Sequence, residues 1–443
     1  MDDSPVPLRS LCDSFDAEGE GSGLFDLAAR LFPICRSITG EGNRRTLAIL
    51  AEHLPVLVRE VPSGTAVLDW TVPPEWTIRD AWIQDPQGRK IVDFQHHNLH
   101  VVGYSRPVRQ TMTLDELLPH LHSLPEHPDW IPYRTSYYNE TWGFCLPDSL
   151  KQSLVPGNYD VCIDSDLKPG HLSYGELVLS GDTRDEFLVS THICHPSLAN
   201  DNTSGMAIAC RLATILSDIP HRYTYRFLFI PGTIGSITWL ARNRDALERV
   251  RHGLVLSCLG DPGAPTYKQS RNGTAIIDQA VAHILRHTGR PHTVQPFSPY
   301  GYDERQYGSP GFNLPVGLFM RSPHGTFPEY HTSADNLAFI RPESLADSLR
   351  LLLETVAVVE GNASFVNQCP YGEPQLGRRG LYDSLGGANE RHERQMAMLW
   401  VLNQSDGGPS LLDIADRSGL PFFRIQEAAH RLSFAELLVE TED

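Results

Sequence analysis

The stretch Leu188–Ala209, LVSTHICHPSLANDNTSGMAIA, constrains the fold more than any other part of the chain. It continues an apolar strand through Phe187, Leu188 and Val189, then breaks at His192-Ile193-Cys194-His195-Pro196. Turn-forming residues follow at Asn200-Asp201-Asn202 and Ser204-Gly205, and a helix restarts near Met206. A strand, a loop and a helix in that order put the loop at the carboxyl end of the strand, where open α/β sheets build their sites. Two imidazoles, a thiol and a carboxylate fall between His192 and Asp201. Such a set can hold a divalent ion, and its nitrogen and oxygen donors point to zinc.

The same alternation continues downstream. RYTYRFLFIPGTIGS, HGLVLSCLGDPG and LPVGLFMRS read as buried strands ending in loops. Helices stand between them, at TAIIDQAVAHILRHTG and PESLADSLRLLLETVAVVEG. This pattern predicts an α/β sandwich with a mixed, mostly parallel sheet. Residues 24–62 and 111–370 form that domain in this reading. Residues 63–110, rich in Val, Ile, Trp and turn residues, read as a small inserted β-rich module extending to about 150 at most, with a hairpin at Gln87-Gly88. His96, His97 and His100 beside it are read as exposed or hydrogen-bonded histidines next to a strand, with a second metal site as the alternative. Thr113 and Glu116 form a capping-box pattern opening a short helix to Leu124. The aromatic run WIPYRTSYYNETWGFCLP is read as packing, with a contribution to a ligand pocket as the alternative. From Cys369 a Gly-rich loop through Gly387 leads into residues 371–443, which carry a helix-turn-helix pattern ending in a strand.

Composition narrows the function classes. A net charge of −17 on 443 residues argues against nucleic acid or an anionic membrane as partner. From Arg378 onward seven basic residues face eleven acidic ones, so the winged-helix shape reads as a packing or assembly element, not a DNA reader. No apolar run is long enough to span a bilayer. Residues 1–23 are acidic and polar, and read as a disordered lead-in. Eight scattered cysteines fit reduced thiols in a cytoplasmic protein.

Candidate ligands fall in loops at strand ends: His192 and His195 with Asp201, Asp261, and His331 in EYHTSADN. A strand-end His, an Asp in a DN-x-SG turn and a late His-Thr at the start of a helix are hard to explain by packing alone. With these residues the chain resembles the zinc aminopeptidase superfamily, which includes leucyl aminopeptidases and glutamate carboxypeptidases. More narrowly, NLHVVGYSRPV, STHICHPSLANDN, YGYDERQYGSPGFNLPVG, EYHTSADN and YGEPQLGRRGLY look like an aminopeptidase-like family with an inserted β-rich module and a C-terminal winged helix.

The resemblance implies a zinc-peptidase fold and metal-assisted hydrolysis of an amide bond in a small peptide or aminoacyl compound. It implies zinc held by His192, Asp201 and His331; a zinc pair sharing Asp201 needs more carboxylates than the sequence places, so one ion is expected, with two as the alternative. His195 is the alternative to His192, and Asp261 is the candidate that would complete a site with two metals. It also exposes two departures. Gly232 in FIPGTIGS stands where the family carries a glutamate, and Cys194 stands where an aspartate follows the first His. Three explanations remain: removal of the glutamate by design, a base from elsewhere, or zinc and ligand binding without turnover. Asp303, Glu304 and Glu329 are the candidate bases. Arg305, Tyr302 and Tyr330 are candidate substrate contacts, with a surface Glu304–Arg305 ion pair as the plain alternative. The inserted module and the winged helix offer surfaces for a homo-oligomer.

Overall fold

The computed structural model describes residues 7–381 and 388–441. The chain divides into two units, one of Ser14–Gly273 with Thr293–Arg350, the other of Met1–Asp13, Thr274–His292 and Leu351–Asp443. Beyond two-residue pairs, the strands of the larger unit are β1 (Leu57–Pro62), β2 (Glu75–Gln84), β3 (Lys90–Asp93), β4 (Val108–Thr113), β5 (Asn158–Lys168), β6 (His171–Leu179), β7 (Glu186–His192), β8 (Thr224–Ile230), β9 (Val250–Leu256), β10 (Thr266–Lys268), β11 (Thr293–Gln295) and β12 (Val316–Met320).

Eight of them make one mixed sheet in the order β1-β6-β8-β7-β9-β12-β10-β11. The central run β8-β7-β9-β12 is parallel. Antiparallel pairs join β1 to β6, β6 to β8 and β10 to β12. Every residue of β7 is buried, and so is all of β8 after its first residue. Near-continuous apolar runs of this kind belong to strands covered on both faces. Helices α1 (Ala17–Leu31) and α2 (Glu41–Ala51) precede the sheet; α3 (Gly205–Ser217) and α4 (Ile234–Arg242) follow β7 and β8 and supply the crossovers that parallel strands require. The carboxyl ends of four neighbouring parallel strands therefore open onto one edge of the sheet.

The chain departs from the sequence reading in several places. Residues 7–23, expected as a disordered lead-in, are largely helical: Pro7–Asp13 is a helix and α1 begins at Ala17. The acidic residues that suggested disorder act as N-terminal charge. Asp16 caps α1 by accepting from the Gly19 N–H at 3.1 Å, and Glu20 pairs with Arg211. Residues 1–6 lie outside the described residues. A second, antiparallel sheet runs β3-β2-β5-β4. Its β5 lies beyond the limit of 110 to 150 expected for the β-rich module, because the strand that pairs with both β2 and β4 returns only at Asn158. The Thr113–Glu116 capping box forms, but the α-helix ends at Leu117 in a 3₁₀ turn containing Pro119, which has no N–H to continue the ladder. His331 does not start a helix; it sits in a run of turns with φ of 56°.

The second unit contains the three-stranded sheet β14-β13-β15, built from β13 (Ser364–Asn367), β14 (Asp406–Ser410) and β15 (Leu438–Glu440). β13 precedes the boundary expected at 371, since it supplies the strand that both others pair with. Helices Leu411–Ser418 and Phe422–Phe434 form the helix-turn-helix of a winged helix. A Ser410–Asp413 capping box starts the first, and Gly419 in the left-handed region ends it. Residues 382–387 of the expected Gly-rich loop lie outside the described residues.

One buried ion cluster holds the antiparallel flank of the large sheet. On β8, Arg226 donates to Glu176 of β6 at 2.6 Å and doubly to Glu186 of β7 at 2.7 and 2.9 Å. Arg226→Met removes the shared cation and leaves two buried carboxylates partly paired. We expect a loss of about 3–5 kcal/mol, read as a lowered denaturation midpoint in urea.

Candidate metal centre

The loops after β8, β7, β9 and β12 converge on a buried cluster of donors. His192 closes β7, and its Nε2 lies 2.7 Å from Asp201 Oδ1 and 3.0 Å from His195 Nδ1. His195 Nδ1 stands 3.5 Å from the same carboxylate oxygen. His331 Nε2 reaches the other oxygen, Oδ2, at 3.1 Å. Two nitrogen donors on one tetrahedral zinc stand about 3.3 Å apart. The His192–His195–Asp201 triangle already has edges of that size and is fully buried. Its donor set fits zinc without rearrangement.

Neighbouring groups fix each member. Asp335, in the same HTSAD run as His331, accepts the N–H groups of Asn200 and Asp201 at 2.6 and 3.0 Å. The late motif thereby holds the turn that carries the central carboxylate. Arg36 donates to the His195 carbonyl at 2.8 Å and fixes the HICHP bend. The aromatic ring of Tyr133 stands edge-on to His195 and His331, and Tyr330 stacks on His331 at 3.9 Å. Burial pushes the His192 imidazole down to about 3, so it is neutral, as a metal ligand must be. Burial also opposes the charge on Asp201, but the histidines around it hold its carboxyl well below the usual range.

The other expected site residues fall differently. Asp261 is not in the cluster. Its oxygens accept from Asn200 Nδ2 at 2.9 Å, the Gly263 N–H at 2.7 Å and Ser322 Oγ at 2.6 Å, so it is a loop clamp. Glu304 is fully buried, but its partner is Lys268, not Arg305, and it also accepts from the Tyr302 N–H at 2.9 Å. Arg305 is half-buried, and its Nε has no hydrogen-bond partner among the described residues. Asp303 accepts from the Thr233 N–H at 2.7 Å and from Ser236 Oγ at 3.0 Å, anchoring the start of α4. Glu329 is half-buried, and its carboxylate makes no hydrogen bond or ion pair among the described residues. His97 and His100 are hydrogen-bonded to backbone, His97 to the Leu99 N–H and His100 to the Cys145 carbonyl.

Two features escaped the sequence. Cys258, two residues past β9, and His324, in the turn after β12, lie beside Asp201. Neither has a telling sequence spacing; the adjacency of β9 and β12 brings them in. The second feature concerns Gly232. The Tyr302 hydroxyl fills the space where a side chain at 232 would project. That hydroxyl lies 3.3 Å from Cys194 Sγ, which also accepts from the Gly232 N–H at 3.3 Å. The Tyr302 ring lies 3.9 Å from that of His192. The two departures from the aminopeptidase pattern, Cys194 and Gly232, are thus in contact and covered by one tyrosine.

A groove of about 440 Å³ adjoins the cluster, lined by Tyr133, Arg134, Thr135, Tyr330 and His331 among others. Tyr133, Arg134 and Thr135 of the aromatic run thus line this groove. His331, with a side chain 33% exposed, faces outward beside the donor triangle.

Two tests follow from this packing. Gly232→Ala places a methyl against the Tyr302 hydroxyl, and overpacking of this kind costs about 1–3 kcal/mol. In a double-mutant cycle with Tyr302→Ala the two losses should be less than additive, as read by thermal unfolding. Burial raises the Asp303 carboxyl from 3.8 to about 7, outweighing the bonds from Thr233 and Ser236. A folded-state value above the unfolded one stabilises at low pH, and that contribution is lost as pH rises. The stability of the wild type relative to Asp303→Asn should therefore fall between pH 4 and pH 7.

Comparison with known proteins shows the family and the fold. Residues 25–362 match the family described as "Domain of unknown function (DUF4910)", and residues 363–440 match a winged helix-turn-helix family. A Clostridium acetobutylicum protein, named as a candidate polysaccharide biosynthesis protein with an aminopeptidase-like domain, is 50% identical over 94% of this chain and 96% of its own length. A crystal structure of a candidate peptidase from Clostridium acetobutylicum superposes with a TM-score of 0.93 at 47% identity, covering 98% of this chain and all of that one. BSAP, a zinc aminopeptidase from Bacillus subtilis, shares the fold at a TM-score of 0.57 and 13% identity, over 78% of this chain and 95% of its own. With three quarters of its length matched, the chain belongs to the DUF4910 family, joined to a C-terminal winged helix.

Proposed function

We propose that this protein is a zinc-dependent, aminopeptidase-like hydrolase that cleaves an amide bond of a small peptide or aminoacyl compound. The observation that carries the reading is the buried His192–His195–Asp201 triangle, with donor separations suited to one ion and a groove beside it. Three protein donors leave a fourth position open, as catalytic zinc sites do. His331, bonded to the far oxygen of Asp201, orients the carboxylate and borders that opening. Bound there, zinc would lower the pKa of a water to ~7 and polarise a carbonyl.

The chain's own residues then divide the work. The faces of Tyr133 and Tyr330 bound the groove and seat the substrate next to His331. Of the three carboxylates considered as base, Asp303 anchors a helix and Glu304 is held by Lys268. Glu329 remains uncommitted, two residues before His331, and we assign it the proton transfer. The related protein's link to polysaccharide biosynthesis makes an amide borne on a sugar part of the substrate class. Eight cysteines outside any disulfide fit a cytoplasmic enzyme, and no helix among the described residues is long and apolar enough to cross a membrane. The acidic winged helix serves assembly, with a second copy of the chain as the partner we favour over nucleic acid.

Metal content and hydrolysis of aminoacyl amides test the reading together. Chelation should abolish hydrolysis and zinc should restore it, and His192→Ala should lose both ion and activity. Glu329→Gln should keep the ion and lower kcat by about 10²- to 10⁴-fold. A wild type that binds zinc but hydrolyses neither aminoacyl nor sugar-borne amides would leave a binding protein in place of an enzyme.

A further inference from the structure

We propose that the groove beside the donor triangle recognises a carboxylate on the substrate through Arg134. The inference rests on the hydrolase reading above and narrows its substrate class to amides that carry a negative charge away from the scissile bond. Arg134 is the one lysine or arginine among the described residues that line the groove, which it shares with Tyr133, Tyr330 and His331. Its side chain is exposed and makes no hydrogen bond or ion pair among the described residues.

An exposed arginine is usually solvated and uninformative. The backbone sets this one apart. Residues 131–135 are zipped to the segment that carries His331. The Tyr133 N–H donates to the His331 carbonyl at 2.7 Å, Pro132 faces Thr332 across a β-bridge, and the Ser333 N–H donates to the Ile131 carbonyl at 2.8 Å. On the other edge, the Gly103 N–H donates to the Arg134 carbonyl at 2.8 Å, and Thr135 bridges to Gly103. Arg134 therefore follows directly on a ring that stands edge-on to His195 and His331, on a backbone held from both sides. A side chain on a fixed base loses less freedom on binding than one on a mobile loop. None of these bonds uses the guanidinium, so the fold positions a charge that it does not itself neutralise.

The charges of the groove fit the same reading. Glu126 is the one carboxylate among the described residues that line it, and it forms no ion pair with Arg134. Two separated charges of opposite sign complement a compound that carries both an ammonium and a carboxylate, as a small aminoacyl acid does. The chain as a whole has a net charge of −17 and repels anions, so a local cation is what admits one here. A guanidinium offers a planar fork of N–H donors that matches a carboxylate with two parallel bonds. Arg305 does not line the groove.

Steady-state hydrolysis of a dipeptide, and of the same dipeptide closed as its C-terminal amide, tests the assignment on the zinc-loaded full chain, because the pair differs by one negative charge. KM for the free acid should be lower by about 10-fold, the effect of one charge-assisted contact. The preference should shrink as salt is raised. Arg134→Ala should bring the two KM values together. Arg134→Lys should keep part of the difference, because the charge remains and the fork is lost. Arg305→Gln should keep all of it. A preference that survives Arg134→Ala belongs to direct contact between the carboxylate and the metal and overturns the inference. Equal KM values in the wild type overturn it too, and both results leave the hydrolase reading intact. If neither compound is cleaved, the hydrolase reading fails, and calorimetric Kd values for the same pair decide this one. Tighter binding of the free acid, lost in Arg134→Ala, supports the assignment; equal or unmeasurable binding overturns it.

Discussion

The carboxylate of Asp335 accepting two backbone N–H groups, from Asn200 and Asp201, is the contact on which the centre depends. It joins a turn after β7 to a segment that follows β12, and so ties together two strand ends that β9 separates. Asp201 is thereby placed with one oxygen toward His192 and the other toward His331. Asn200 extends the clamp. Its Nδ2 donates to Asp261, and its Oδ1 accepts the N–H groups of Gly260 and Asp261, so the loop after β9 is fixed to the same turn. A buried polar network of this type is stable only when its members are satisfied, and here backbone groups satisfy most of them. The side chains left over for chemistry are the histidines and Asp201.

The parts of this centre that were legible in the sequence lie within one loop, apart from His331, which the resemblance through EYHTSADN added to it. STHICHPSLANDN contains its strand end, its bend and its turn in a single stretch, so the placement of His192, His195 and Asp201 followed from local chemistry. The α/β class was legible for the same reason, since the apolar runs of β7 and β8 and the intervening helix pattern are contiguous. Cys258 and His324 were invisible because their meeting depends on sheet order. Asp261 misled in the opposite direction. An acid just past a buried strand has a ligand's address, yet this one is consumed by Asn200, Gly263 and Ser322. The β-rich module was placed too narrowly because β5 returns only after a long excursion. Acidic residues near the N-terminus suggested disorder because composition does not reveal that Asp16 caps a helix or that Glu20 has Arg211 waiting.

The absence of a carboxylate at 232 was read from the sequence, and its structural consequence was not. No cavity is left behind for water to fill. The Tyr302 hydroxyl has taken the volume, and Cys194 meets it from the other side. The centre is therefore more tightly packed on this flank than a simple deletion would make it.

This arrangement makes positions 194, 232 and 302 heritable as a unit. A chain drifting back toward a carboxylate at 232 meets a steric barrier at its first step unless the tyrosine has already changed. Losing the tyrosine first opens a void beside His192. Either order passes through a less well-packed intermediate. The present combination is consequently a local trap in sequence space, and libraries that vary one of these positions at a time will not find the way out of it.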